Sequence, residues 1–166
     1  MDVFARTFWP AAAEAGVART TVTRHMAIFQ RCVEADDAAV LVSRCARPVS
    51  PMQGEFLLLV THRRMVVTQE TLVLRRLRLH LNTELRHLSN VTWQPDSRTA
   101  ALELAATAVD GVREHFRIKV RHPKQVWHLD ALLTYVFQPR TATPWPGTPI
   151  SPIDVHTPTF SPAVVF

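Results

Sequence analysis

The chain is predicted to be mostly β with flanking helices, an α+β arrangement. We expect a seven-stranded antiparallel sandwich or barrel closed by a C-terminal helix and preceded by an N-terminal helical segment. Three features predict it. Apolar residues recur every three to four positions before residue 36, every second position between residues 38 and 121, and every three to four positions again after His122-Pro123. Short strands followed by one amphipathic helix are typical of a small barrel with the helix against an open end.

The N-terminal helical segment covers residues 1–36 and has one apolar face. Val22, Met26, Phe29 and Val33 recur at steps of four, three and four. This spacing places the four side chains on one side of a helix. Asp36-Asp37 closes the segment.

The β-domain, residues 38–138, has a turn signal between most of its predicted strands. The clearest is Asp110-Gly111, a strong hairpin signal, and Thr61-His-Arg-Arg64 is another tight connection. In the fourth strand, alternation predicts three leucines on one face (Leu77, Leu79, Leu81). The strands are predicted at residues 39–43, 55–60, 65–68, 74–81, 88–93, 100–109 and 112–120.

A helix and a proline-rich tail follow the last strand. Pro123 suits the first position of a helix, where its missing N–H had no partner. The helix has an apolar stripe of Val126, Leu129, Leu133 and Val136 and stops before Pro139. The tail, residues 139–166, holds 7 of the 12 prolines. We expect it to be a tail or a strap on its own domain, and its Pro-x-x-Pro repeats leave a polyproline II ligand as the alternative.

Size and composition restrict the class of protein. A chain of 166 residues suits one domain, and its longest bulky apolar run, five residues from Phe56, is far too short to span a membrane. The N-terminus does not resemble a secretion signal, so a cytoplasmic protein without a transmembrane segment is expected. The net charge of +5 comes almost wholly from arginine. Nucleic acid, anionic lipid or an acidic protein would suit such a surface.

The reactive residues do not form a catalytic or metal-binding pattern. Cys32 and Cys45 are not in a Cys-x-x-Cys motif and are expected to be free buried thiols. None of the eight histidines pairs at a helical ligand spacing, and four scattered glycines cannot form a phosphate loop. We therefore expect no enzymatic activity, no metal and no cofactor.

The strand region resembles a bacterial pleckstrin-homology-like (PH-like) domain over residues 38–138. The residues that carry this resemblance are Gly54-Glu-Phe-Leu-Leu-Leu-Val-Thr-His-Arg-Arg-Met-Val-Val67, the Asp-Gly hairpin, and Phe116-Arg-Ile-Lys-Val120 before the last helix. The resemblance implies a non-enzymatic domain that binds phosphoinositides, peptides or other protein domains. Phosphoinositide-binding members have bases along the second strand. Here residues 55–60 contain none, although Arg44 and Arg47 follow the first strand.

Two rows of bases are candidate sites for an anionic surface. Alternation in the last strand places five bases on one face, and Arg76, Arg78 and His80 form a shorter row in the fourth strand. Such rows could bind phosphates of lipid or nucleic acid. The alternative is a solvated sheet face whose arginines lie along their own strand. The five bases of the last strand are Arg113, His115, Arg117, Lys119 and Arg121.

Residues 10–26 resemble a helix-turn-helix of the tetracycline-repressor type. Gly16 stands at the turn, and the residues that would contact DNA are Arg19, Thr20, Thr23 and Arg24. Three features favour a packed helix instead. Few residues precede the motif, Pro10 lies within its first helix, and the apolar stripe continues through Phe29 and Val33.

The favoured interpretation is a binding module of PH-like type with a protein partner, with anionic surfaces as further contacts. A DNA-binding regulator that uses residues 10–26 is one alternative. A self-assembling structural subunit, with the proline-rich tail linking copies, is the other.

Overall fold

The structure is a computed structural model that describes residues 2–49 and 54–138. Two helices come first, seven strands follow, and a third helix closes the described chain. The helices are α1 (Val3–Glu14), α2 (Arg19–Cys32) and α3 (Pro123–Phe137), and the strands are β1 (Ala39–Ala46), β2 (Glu55–Thr61), β3 (Arg64–Glu70), β4 (Leu77–Glu84), β5 (Ser89–Asp96), β6 (Ala101–Thr107) and β7 (Arg113–Lys119).

The strands form one antiparallel sheet in the order β4-β3-β2-β1-β7-β6-β5. The predicted fold class is therefore confirmed: mostly β, seven strands, a C-terminal helix and N-terminal helices. Among the described residues, the two halves of the sheet pair where Cys45 faces Ile118 and Ala46 faces Arg117. Towards its N-terminus β1 pairs only with β2 among the described strands, so β1 has one free edge there.

The inner face of the sheet encloses the main core. Phe56, Leu58 and Val60 of β2 point into it, as do Phe116 and Ile118 of β7. Helix α3 covers this core with Leu129 and Leu133, while Val136 packs at its edge. The predicted stripe on this helix is thus the face that closes the sheet. Trp127, beside the stripe in sequence, is instead exposed.

A second core lies on the outer face of β1, β2 and β3, under helices α1 and α2. Phe8 of α1 and Phe29 of α2 pack there against Leu57 and Leu59 of β2, and all four side chains are almost completely buried. Strand β2 is therefore buried on both faces. This explains why its sequence is continuously apolar rather than alternating.

Helix α1 has a capped start, a tight turn to α2 and one hydrogen bond to the sheet. Asp2 caps α1 by accepting a hydrogen bond from the Ala5 N–H at 3.0 Å. The turn to α2 uses Gly16, whose φ of +66° favours glycine. Thr7 Oγ1 accepts from the Ala39 N–H at 2.8 Å and so joins α1 to the start of β1.

The structure corrects the predicted fourth strand. β4 begins at Leu77, because residues 71–76 form a turn in which Arg75 has a φ of +45°. Its pairing with β3 then shifts register between Val67 and Thr68, which face Leu81 and Leu79. An irregularity of this kind changes which face a residue occupies. Leu81 consequently packs on the inner core whereas Leu79 is half exposed, so the predicted face of three leucines is wrong.

The proline-rich tail, residues 139–166, lies outside the described residues, and so does the predicted role of its Pro-x-x-Pro repeats. None of the described helices is long and apolar enough to cross a membrane.

Candidate functional site

The basic strand face, Arg113, His115, Arg117, Lys119 and Arg121, begins on the outward side of β7. Along the strand these outward residues alternate with the buried Phe116 and Ile118, as predicted, and also with Glu114, which is buried too. No described helix packs on this part of the sheet, because α1 and α2 cover β1–β3 and α3 closes the inner core.

The arginines of the basic strand face are engaged within the protein. Arg113 donates to the Asn90 carbonyl at 2.9 Å and to Thr92 Oγ1 at 3.0 Å. Arg117 donates to Thr99 Oγ1 at 3.3 Å. Arg121 donates to the Gly16 carbonyl at 3.3 Å, next to α1. The guanidinium groups therefore lie across neighbouring backbone and side chains, an arrangement that resembles the solvated-face alternative.

The shorter row of Arg76, Arg78 and His80 is not assembled. Arg76 lies in the turn before β4, and Arg78 is exposed on β4. His80 turns inward, with its ring edge-on to Phe56 at 5.3 Å and to Phe116 at 6.1 Å between centroids. The register shift between β3 and β4 accounts for this separation.

Glu114 is a buried acid that the alternation analysis of β7 missed. Its Oε2 lies 3.2 Å from His80 Nε2 and 3.2 Å from Arg47 Nη2. This small network joins β7, β4 and the residue that follows β1. A single acid among apolar residues on an inward face was the signal available in the sequence, because a buried carboxylate needs charged or hydrogen-bonding partners.

The proposed DNA-contacting residues lie on a helix that packs against the sheet through Val22, His25 and Phe29. Arg24 pairs with Glu70 at 2.7 Å and donates to the Arg75 carbonyl at 3.3 Å. Arg19 lies over the Trp9 ring at 5.6 Å from its centroid. Thr20 and Thr23 are exposed. All four residues are exposed, and the two arginines also have partners in the same molecule.

His25 is the most enclosed titratable residue near that helix. Its Nδ1 lies 2.6 Å from Thr68 Oγ1, and its Nε2 lies 3.8 Å from Glu70 Oε2. Burial lowers the pKa of His25 although Glu70 acts in the opposite direction. With 1 % of its surface exposed, the ring cannot meet a substrate from solvent, and its role here is to join α2 to β3.

The two thiols are free, as predicted, with Cys45 buried and Cys32 only partly buried. Burial raises the pKa of both, so neither is poised as a thiolate nucleophile. Within residues 2–49 and 54–138, no cluster of His, Cys, Asp or Glu could hold a metal ion.

A groove of about 200 Å³ follows the free edge of β1 between α1 and α3. We call it the β1 groove. Residues 40–43 of β1 line one wall, where Val40 is partly exposed and Leu41, Val42 and Ser43 are buried. Glu14 and His128 stand at its rim, with Oε1 and Nε2 2.9 Å apart. Its apolar lining includes Ala11, Ala15, Val120, Leu129 and Leu132.

The β3–β4 tip, residues 71–76, is a second candidate binding surface. Thr71 closes its base: the Thr71 N–H donates to the Arg76 carbonyl at 3.0 Å, and Thr71 Oγ1 accepts from the Arg76 N–H at 3.1 Å. Leu72, Val73 and Leu74 extend from this base into solvent.

No protein-family model and no curated protein matches the chain.

Proposed function

We propose that the protein is a non-enzymatic binding module of PH-like type that captures an extended segment of another protein along the free edge of β1. The β1 groove is the observation that carries this proposal, because it combines an unpaired strand edge with an apolar wall on each side. An extended peptide that joins such an edge gains main-chain hydrogen bonds, and the flanking pocket selects its side chains.

The order of elements supports the PH-like part of the proposal. Four antiparallel strands precede three more, β1 pairs briefly with β7, and α3 closes the inner core. Helices α1 and α2 add a layer outside the sheet, and α1 forms one wall of the β1 groove. The binding surface therefore depends on the N-terminal segment as well as on the β-domain.

A free strand edge in a sheet is normally protected, because it can pair with another chain. Here α1 satisfies one backbone N–H at Ala39 through Thr7, and β7 pairs with Cys45 and Ala46. Between these points residues 40–43 line the groove, and Val40 is the partly exposed residue among them. Its length suits a short segment of four or five residues.

The lining indicates the chemistry of the segment. The volume, about 200 Å³, is below the roughly 300 Å³ at which small-molecule pockets begin, and it suits one or two apolar side chains. Ala11 and Ala15 leave space on the α1 side, whereas Leu129 and Leu132 supply apolar contact from α3. Lys124 at the groove favours an acidic residue in the partner segment.

The test is a selection of peptides from a random phage library on the immobilised full chain. Enriched peptides should bind the wild-type protein and share apolar residues at alternate positions, because alternate side chains of a strand face the same side. Ala15→Trp fills the groove from an exposed helix end and should weaken the selected peptides at least about tenfold, a loss of about 1.4 kcal/mol.

Ala27→Trp is the matched control, since Ala27 is exposed on α2 and does not line the groove. It should leave affinity within about twofold, under 0.5 kcal/mol. Peptides that bind Ala15→Trp as well as wild type, or that lose affinity equally in the control, would reject the β1 groove as the binding site.

A further inference from the structure

We propose that the β3–β4 tip docks the protein onto the surface of an anionic lipid bilayer. This is a second binding site, separate from the β1 groove. Three consecutive apolar side chains form its apex: Leu72, Val73 and Leu74 are 60 %, 92 % and 65 % exposed. Scattered exposed apolar residues are ordinary on protein surfaces, whereas a contiguous group marks an interaction site.

The tip is an ordered projection. The two Thr71–Arg76 hydrogen bonds close its base, and Arg24 of α2 donates to the Arg75 carbonyl. Gly54 passes so close to the base that a Cβ there would lie 2.1 Å from the Glu70 carbonyl oxygen. The apex is thus held away from the sheet by contacts that do not use its apolar side chains.

Three exposed arginines lie beside the apolar apex. Arg75, Arg76 and Arg78 are exposed, and no hydrogen bond or ion pair connects their guanidinium groups to another described residue. The nearby acid Glu70 is already paired with Arg24 at 2.7 Å, which leaves Glu55 as the exposed acid next to the base of the tip. The arginines of the basic strand face differ, because they lie across their own molecule.

An anionic bilayer is the partner that uses both features. Its hydrocarbon accepts the apolar apex, and its phosphates accept guanidinium groups in bidentate geometry. Nucleic acid would use the arginines alone, since residues 71–79 contain no aromatic side chain on which a base could stack. Leu79, 47 % exposed on β4, extends the apolar surface beyond the tip.

The experiment is co-sedimentation of the full chain with vesicles of phosphatidylcholine alone and with vesicles that also contain phosphatidylglycerol. We expect binding to the mixed vesicles that weakens as salt rises. Replacing Arg75, Arg76 and Arg78 together by Gln should weaken it roughly 100-fold, from about a fivefold contribution per arginine near the surface. Val73→Asp should weaken it at least about tenfold, because a charge then replaces an inserted apolar side chain.

Two control variants match these changes. Val109→Asp alters another largely exposed valine, 75 % exposed, at the β6–β7 hairpin and should bind within about twofold of wild type. Replacing Arg113 and Arg117 by Gln removes two charges from the basic strand face and should also have little effect. The melting temperature of each variant is measured as well, so that a loss of folding is not mistaken for a loss of binding.

Equal binding to both vesicle types would overturn the proposal, as would Val73→Asp binding like wild type. Loss of binding in the Arg113 and Arg117 variant alone would assign the site to the basic strand face. Absence of binding to either vesicle type would overturn it as well. Ala15→Trp should bind vesicles normally, which separates this test from that of the β1 groove.

Discussion

Replacing Phe8 by Ala tests whether the N-terminal helices are part of the folded unit. Phe8 has no exposed surface, and its ring centroid lies 5.1 Å from that of Phe4 and 5.5 Å from that of Phe29. A buried Phe→Ala change costs about 3–5 kcal/mol through lost apolar burial and the cavity left behind. The better helix propensity of Ala recovers a few tenths, so we expect a net loss of roughly 3–4 kcal/mol.

Denaturant and thermal unfolding of the full chain, followed by circular dichroism, measure this loss. For a domain of this size it should lower the melting temperature by roughly 10 °C. Val73→Ala is the control, because that side chain is 92 % exposed and its loss should change stability by no more than about 0.5 kcal/mol. A loss below about 1 kcal/mol for Phe8→Ala would refute the reasoning, since α1 would then not belong to the cooperative core.

Gly54→Ala should lower the free energy of unfolding by about 2 kcal/mol more than Gly111→Ala does. Both glycines have a positive φ, but only at Gly54 would a Cβ lie 2.1 Å from a backbone oxygen, that of Glu70. Equal losses in the two variants, measured by denaturant unfolding, would contradict the packing at the tip. Glu114→Gln should lower the free energy of unfolding by about 1–3 kcal/mol, because Arg47 and His80 lose a charged partner. An unchanged midpoint of denaturant unfolding would show that this network does not stabilise the fold. Because burial lowers the pKa of His25, the unfolded state takes up a proton below about pH 6.5 before the folded state does. The stability that this residue contributes is therefore fully present above that pH, and it is lost by up to about 1.4 kcal/mol per pH unit as the pH decreases further. His25→Gln should lack this decline when melting is measured as a function of pH. The same decline in both proteins would contradict the assignment. Finally, Arg24→Glu should change any affinity for a short DNA duplex by less than about threefold, under 0.7 kcal/mol, because Arg24 is paired with Glu70. Fluorescence anisotropy of a labelled duplex measures this affinity. Loss of binding in the variant would support the helix-turn-helix interpretation instead.

The fold could be predicted from local patterns because its strands and helices have strong ones. Asp110-Gly111 predicted the last hairpin, where Gly111 has a φ of +79°. Pro123 predicted the start of α3. The register shift opposite Val67 and Thr68 could not be foreseen, because it depends on pairing between strands rather than on sequence within one strand.

The candidate sites were less predictable for the same reason. Alternation correctly placed four bases of β7 outward, but it gave no information on their partners in β5 and β6. The β1 groove arises where β7 leaves β1 and where two helices distant in sequence approach each other. The β3–β4 tip was not predicted, because Leu74 fits the alternation of a strand although the chain turns there, with a positive φ at Arg75.

Amide hydrogen exchange along β1 tests the proposed function most directly. It is measured on the full chain alone and with a peptide selected from the phage library. The proposal predicts that amides of residues 40–44 which do not bond to β2 exchange at least about tenfold more slowly with the peptide, a change of 1.4 kcal/mol or more. Unchanged exchange at these residues, with protection elsewhere on the protein, would contradict capture at the β1 edge.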